Sequence, residues 1–318
     1  MFFDFALIVV GLVVLVFAGD ALVKGAVNLS LRLGVPALIV GMTIVACGTS
    51  APELLVSIQA VLDDAPTLAI GNVVGSNIAN ILLVLGVPAM IAAVPVSRDL
   101  LHDFLVMMTA TFAFILLAFM GPFSWPHGLL LLAGLSLMLW HSYARARAHR
   151  KDAKLLVDDE ALELEGVEDN ISGTKIALYL AGGILGLPIG AHFLVEGAVN
   201  VATELGVSEA VIGLTLVALG TSLPELATTV AAAMRREAGV AMGNVMGSNL
   251  FNLLGIIGVT SLVGVIPVPP EMLHFDLWVM AAASALLGIF VLSGRSIGKP
   301  AGFILIALYV LYVVQLFH

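Results

Sequence analysis

The sequence predicts an all-α polytopic membrane protein: ten transmembrane helices in two inverted five-helix repeats, with helices two and seven broken. Three observations carry this. The 318 residues are 60% hydrophobic and only 11% charged, with mean hydropathy +1.11, whereas a soluble domain carries about 25% charged residues. Long apolar stretches such as Phe104–Met120 and Phe303–Val314 read as membrane spans. The third observation is a motif that occurs twice. Gly41-Met42-Thr43-Ile44-Val45-Ala46-Cys47-Gly48-Thr49-Ser50-Ala51-Pro52-Glu53 returns 172 residues later as Gly213-Leu214-Thr215-Leu216-Val217-Ala218-Leu219-Gly220-Thr221-Ser222-Leu223-Pro224-Glu225.

Strands are not the pattern, because a barrel would alternate polar and apolar residues. Much of the net charge of −9 lies in one segment, Asp152–Asp169. No cleavable signal peptide is expected, since the start lacks a basic region and a small-residue cleavage site. The single cysteine, Cys47, excludes an internal disulfide.

The helices are expected in order at about Phe3–Arg32, Val35–Leu62 (broken near Gly48–Pro52), Thr67–Ala92, Asp99–Met120 and Ser124–Ala144. The second set lies at about Gly173–Leu205, Ser208–Met234 (broken near Gly220–Pro224), Gly239–Val263, Leu273–Ser293 and Lys299–Phe317. Three units follow: residues 1–144, a linker 145–172 that reads as a loop or small helix outside the bilayer, and residues 173–318. The first helix carries Asp20, Lys24 and Asn28 toward its end, which suits a tilted or partly interfacial position. Asp20 and Lys24 lie four apart, so they are able to pair on one face.

Orientation follows from the basic residues. With the N-terminus outside, all 13 fall in inner turns: Lys24, Arg32, Arg98, Arg145, Arg147, Arg150, Lys151, Lys154, Lys175, Arg235, Arg236, Arg295 and Lys299. The outer turns carry Asp63, Asp64, Glu209 and Glu271. Both termini are therefore expected outside and the central loop in the cytoplasm, with the bacterial inner membrane as the setting. Trp125, Trp140, Trp278, Tyr309 and Tyr312 fit interfacial belts.

The offset of 172 extends beyond the motif. It carries Gly25-Ala26-Val27-Asn28 onto Gly197-Ala198-Val199-Asn200, and Gly71-Asn72-Val73 onto Gly243-Asn244-Val245. It also carries Gly75-Ser76-Asn77 onto Gly247-Ser248-Asn249, and Asn80 onto Asn252. Five helices per repeat is an odd number, so the second copy enters from the opposite face. Such inverted repeats place a site at the midplane, between broken helices.

The chemistry at the breaks is specific. Pro52 has no N–H for the carbonyl of Gly48, and Pro224 none for Gly220. Carbonyls near Ala46–Thr49 and Ala218–Thr221 are expected to be freed, which costs several kcal/mol each in hydrocarbon unless a partner is found. Glu53 and Glu225 sit in apolar helices with no Lys or Arg expected at their depth. Their natural partner is a cation or a proton. Together with the hydroxyls of Thr49, Ser50, Thr221 and Ser222 they form an all-oxygen set suited to hard cations such as Ca²⁺ and Na⁺. Soft metals would want Cys or His. Ser76 and Asn80, and likewise Ser248 and Asn252, lie four apart on one face of the next helix, where they complete the cage. Asn72, Asn77, Asn244 and Asn249 are weaker candidates, since amides also serve as interhelical glue. Two negative charges balance one Ca²⁺ or two Na⁺, which is the physical basis for exchange. A kink of this kind alone is more often a packing device, but intramembrane carboxylates in duplicate are functional by default.

Gly-Thr-Ser-x-Pro-Glu in both halves, each followed by Gly-Asn-x-x-Gly-Ser-Asn, resembles the alpha repeats of the calcium/cation antiporter superfamily, bacterial sodium/calcium exchangers above all. The resemblance spans nearly the whole chain. It implies exchange of Na⁺ for Ca²⁺ by alternating access. It further implies that Glu53 and Glu225, with the carbonyls of Thr49 and Thr221, bind Ca²⁺. Flanking Na⁺ sites are implied at Ala46, Ser50, Glu53 and Ser76, and at Ala218, Ser222, Glu225 and Ser248. The Gly-Asn-x-x-Glu motif of proton/calcium exchangers is absent. One departure stands out: related exchangers often carry Asp where this chain has Asn252. The site thus has one potential charge fewer, which speaks against potassium dependence.

The transported Ca²⁺ and Na⁺ and the bilayer are the expected partners. No prosthetic group, nucleic acid or obligate protein partner is implied. The alternatives are a proton-coupled cation antiporter, using Glu53 and Glu225 as proton carriers, and a passive cation channel. An intramembrane carboxylate protease fits poorly, since these turns suit cation coordination rather than catalysis. Asp158, Asp159, Glu160, Glu163 and Glu165 read as a solvated loop rather than a calcium sensor, His192 as an interfacial polar residue, and Cys47 as a small buried side chain.

Overall fold

The computed structural model describes residues 2–153, 171–205 and 218–316. The described residues are helical, apart from turns and two isolated bridges. Twelve segments build the fold. They are α1 (Phe2–Leu33), α2 (Ala37–Thr49), α3 (Ala51–Leu62), α4 (Pro66–Ile91), α5 (Arg98–Phe119) and α6 (Trp125–Ala153). Then come α7 (Gly173–Glu204), α8 (Ala218–Thr221), α9 (Leu223–Met234), α10 (Ala238–Val263), α11 (Met272–Ser293) and α12 (Lys299–Gln315). Among the described residues, seven helices are long and apolar enough to cross a membrane, or eight if the bent pair α2 and α3 counts as one span. The chain is thus an all-helical polytopic membrane protein.

The break between α2 and α3 bends the axis by 43°. It falls at Ser50, with φ −85° and ψ 7°. Ser222 takes the same conformation between α8 and α9, with φ −87° and ψ 2°. Pro52 and Pro224 each lie in the first turn of the helix that follows, where a missing N–H costs nothing. The first half of the expected seventh helix falls at 206–217, outside the described residues. So does the acidic stretch from Asp158 to Glu165.

Helix α6 corrects one expectation. It does not end at Ala144 but continues to Ala153. Residues 144–153 are mostly Ala, Arg and Lys, strong helix formers with no Gly or Pro to stop them. Polarity marks the exit from the apolar layer, not the end of the helix.

Helices α1 and α7 run antiparallel along their whole length, joined by glycines. A Cβ on Gly183 would stand 2.5 Å from Cβ of Leu22, one on Gly11 2.5 Å from the backbone N of Leu194, and one on Gly197 2.6 Å from the carbonyl of Asp4. Small residues are how membrane helices approach closely, since lipid offers no hydrophobic drive to associate. The outer face of α1 is left apolar and exposed at Val9, Val13, Val16 and Phe17, as a lipid-facing surface requires.

The Gly-rich start of α10 packs just as tightly on α2. Added Cβ atoms on Gly243 and Gly247 would each lie 2.5 Å from a carbonyl of that helix, those of Leu38 and Met42. Helix α2 carries a π-helical stretch at Gly41–Val45 and α10 one at Phe251–Ile256. Such bulges often sit at functional sites. The two bridges, Val94 with Ile297 and Phe123 with Ile266, tie loops of the first half to loops of the second.

Two expectations about single residues need correction. Cys47 is exposed, not buried. It lies three residues from exposed Ile44, on the outward stripe of α2. Tyr312 is buried, and its hydroxyl donates to Asp276 Oδ1 at 3.0 Å, so it is a packing residue rather than a belt residue.

Gly183→Ala is expected to destabilise the protein by about 1–3 kcal/mol, as overpacking does, because the new methyl meets Leu22 backbone and side-chain atoms within 3 Å. Gly182→Ala, with open space around its Cβ, should be neutral. Thermal unfolding of both variants in detergent checks the contrast.

Candidate cation site

The two breaks face each other through side chains of both halves. Ser50 Oγ donates to Glu225 Oε1 at 2.8 Å, and Ser248 Oγ reaches the same oxygen at 3.5 Å. Thr49 Oγ1 lies 3.5 Å from Ser248 Oγ. Ser50 and Glu53 are three apart across the start of α3, hence neighbours, so the contact of Ser50 with Glu225 brings both carboxylates to one region. Glu53, Glu225, Thr49, Ser50, Ser222, Ser76, Asn80, Ser248 and Asn252 are all buried. Of the predicted residues, Thr49, Ser50, Ser248 and Glu225 are joined by these contacts.

Two asparagines hold this arrangement together. Asn244 Nδ2 donates to the Glu225 carbonyl at 3.3 Å and to Thr229 Oγ1 at 3.1 Å, while its Oδ1 accepts from Thr49 Oγ1 at 3.1 Å. Asn72, 172 residues earlier, repeats every contact. Its Nδ2 donates to the Glu53 carbonyl at 3.4 Å and to Ser57 Oγ at 3.1 Å, and its Oδ1 accepts from Thr221 Oγ1 at 3.4 Å. Each amide uses its donors on its own half and its acceptor on the other. These asparagines are braces, each with both amide hydrogens donated and its oxygen accepting from the opposite half. Sequence reasoning did not single out Ser57 and Thr229; their equivalence at the same offset was the available signal.

A second layer lies beneath. Asn80 Nδ2 donates to Asn249 Oδ1 at 3.1 Å. Asn77 Nδ2 points to Met280 Sδ at 3.8 Å and Asn249 Nδ2 to Met107 Sδ at 3.9 Å. The thioethers of α5 and α11, weak acceptors, thus turn these amides.

What remains unbonded is informative. Among buried side-chain atoms, Glu53 Oε1 and Oε2, Glu225 Oε2, Ser222 Oγ, Asn77 Oδ1, Asn80 Oδ1 and both polar atoms of Asn252 have no hydrogen-bond partner. Native interiors pair the large majority of such atoms. No ion pair among the described residues reaches either glutamate; the ion pairs join Lys24 and Arg235 to Asp20, Arg145 to Asp103, and His192 to Glu196. Carboxylates buried in this way need positive charge. The unsatisfied atoms are oxygens apart from one amide nitrogen, a donor set for hard cations.

The halves are not identical. Glu225 is held by Ser50 and Ser248, yet the equivalent bond from Ser222 to Glu53 is absent. Ala46 also differs from expectation. Its carbonyl accepts from Ser50 N at 3.0 Å and from Thr49 Oγ1 at 3.2 Å, so it is not left free by the break. Ala218 opens α8.

The fold defines an integral membrane protein, and its buried oxygen cluster suits a hard cation. The chain belongs to the sodium/calcium exchanger protein family, whose model matches residues 3–144 and 175–317. It is 34% identical to the sodium/calcium exchanger MaX1 of Methanosarcina acetivorans, covering 99% of both chains. It is 35% identical to the inner membrane protein YrbG of Escherichia coli, over 89% of this chain and 87% of that one. The solved structure of the sodium-calcium exchanger NCX_Mj, soaked with 2.5 mM Na⁺ and 10 mM Sr²⁺, superposes with a TM-score of 0.83 at 32% identity, covering 98% of each chain. The family is one of exchangers, not enzymes.

Asn244→Ala is expected to cost about 1–3 kcal/mol, the penalty for leaving buried partners unpaired, and to loosen Thr49 and Glu225 together. The melting temperature should fall, and a double variant with Thr229→Val should fall by less than the sum of the two single changes.

Proposed function

We propose that this protein is a secondary antiporter that exchanges Na⁺ for Ca²⁺ by alternating access across a bacterial inner membrane. The observation that carries the proposal is the pair of buried carboxylates, Glu53 and Glu225, whose oxygens are left without protein cations. In this reading Ca²⁺ is taken between Glu53 and Glu225 with the backbone oxygens of Thr49 and Thr221. Na⁺ is taken by Ser50, Glu53, Ser76 and the Ala46 carbonyl, once Thr49 Oγ1 releases it, on one side, and by Ala218, Ser222, Glu225 and Ser248 on the other. Asn80 and Asn252 offer neutral oxygens at the centre. The names of MaX1 and NCX_Mj as sodium/calcium exchangers support the choice of ions.

The reading includes ten spans in two inverted repeats. Helices α9 and α12 are the shorter apolar pieces, α9 being the inner half of a seventh span. Matched conformations at Ser50 and Ser222 and the matched bonds of Asn72 and Asn244 support the repeat. The distribution of basic residues supports both termini outside and the linker inside. Alternating access requires that either ion load neutralise the same charges, so that loaded carriers cross and empty ones do not.

Purified protein in liposomes tests this. Ca²⁺ uptake should require an outward Na⁺ gradient and persist when a protonophore removes any pH gradient. Uptake driven by a pH gradient alone would favour proton coupling, and uptake with no counter-ion would favour a channel. Glu53→Gln and Glu225→Gln should each bring exchange to the background of empty vesicles while the proteins stay folded by circular dichroism.

A further inference from the structure

Helices α5 and α6 are joined in an unusual way. A groove of about 690 Å³ runs between them, walled by apolar residues such as Val106, Ala113, Leu131 and Met138. At one end two polar rungs cross it. Arg145 donates to Asp103, and His102 Nε2 lies 2.9 Å from His141 Nε2. Among the described residues these are the polar side-chain contacts between α5 and α6 that the structure provides. Both imidazoles are exposed, whereas Asp103 is buried and its Oδ2 has no partner.

Two imidazoles that meet nitrogen to nitrogen share one proton: one Nε2 donates and the other accepts. Their ring centroids are 4.9 Å apart. Neutral imidazole is the commonest metal ligand. On a tetrahedral ion with Zn–N bonds of about 2.0–2.1 Å, two ligand nitrogens stand about 3.3 Å apart. A metal ion can therefore replace the shared proton with a small rotation of either ring.

We propose that His102 and His141 form a clip for a borderline transition-metal ion such as Zn²⁺ or Ni²⁺, bound through both Nε2 atoms and bridging α5 to α6. Asp103 already carries Arg145 as its ion-pair partner, so the two imidazoles are the protein ligands. Among the described residues no group of three or more His, Cys, Asp or Glu is placed to hold a metal, so water fills the remaining positions. The clip is separate from the buried carboxylates and does not rest on the proposed exchange. Hard Na⁺ and Ca²⁺ prefer oxygen and should pass it by.

Titration calorimetry on the untagged chain in detergent, with ZnCl₂ and NiCl₂, tests this. One ion per chain is expected. His102→Ala and His141→Gln should each weaken binding by more than about tenfold, the lower end of the loss seen when even outer-shell partners of a metal site are removed. The double variant should bind no worse than the weaker single. His192→Ala, which removes the exposed pair with Glu196, should change nothing, and excess CaCl₂ should not compete. Unchanged affinity in either folded clip variant, loss on changing His192, displacement by Ca²⁺, or no binding by the parent chain would each overturn the proposal. His141→Gln keeps a polar side chain of similar size, and matching melting temperatures show that it is folded.

Discussion

Two carboxylates placed in an apolar interior without a base constrain everything around them. Charge in such surroundings is costly unless it is paired and hydrogen-bonded, and neither Glu53 nor Glu225 has an ion-pair partner among the described residues. The helices must therefore stop and restart at these points, so that backbone and hydroxyl groups face inward. Ser50 and Ser222 are where they do so. The restart accommodates Pro in the first turn, and the close approach of α10 to α2 needs glycine at Gly243 and Gly247. The asparagine braces then fix the backbone of each glutamate to the opposite half.

The duplicated sequence does not produce duplicated chemistry throughout. Asn80 sits in regular helix and donates to Asn249, while Asn252 lies in a π-helical stretch with its amide free. Glu225 has two hydroxyl partners and Glu53 none. In the proposed reading, halves in different conformations are what alternating access between inverted repeats requires.

Much of this was legible in the residues themselves. Hydropathy marked the helices, the Gly-Thr-Ser-x-Pro-Glu motif marked the breaks, and the offset of 172 paired equivalent residues of the two halves. What escaped reading lay where a residue's role depends on a distant partner. Asn72 and Asn244 read more as interhelical glue than as ligands, but the residues do not say what they join; only the fold shows Thr221 and Thr49 as their partners. Asp20 pairs with Lys24 as the spacing of four suggested, but it also takes Arg235 from α9, a link over 215 positions that no local pattern announces. Cys47 and Tyr312 were misplaced for the same reason: a helix of nearly uniform hydropathy does not reveal which face meets lipid. The end of α6 was hidden because polarity was taken for the end of the helix.

The central claim is that the two carboxylates are held in the interior by exchangeable hard cations. Anomalous diffraction from crystals soaked in Sr²⁺, a heavier stand-in for Ca²⁺, tests it most directly. The account predicts one strong peak between Glu53 and Glu225 that vanishes when Na⁺ is raised. A site without a peak at saturating Sr²⁺, or a peak that Na⁺ leaves untouched, would contradict it.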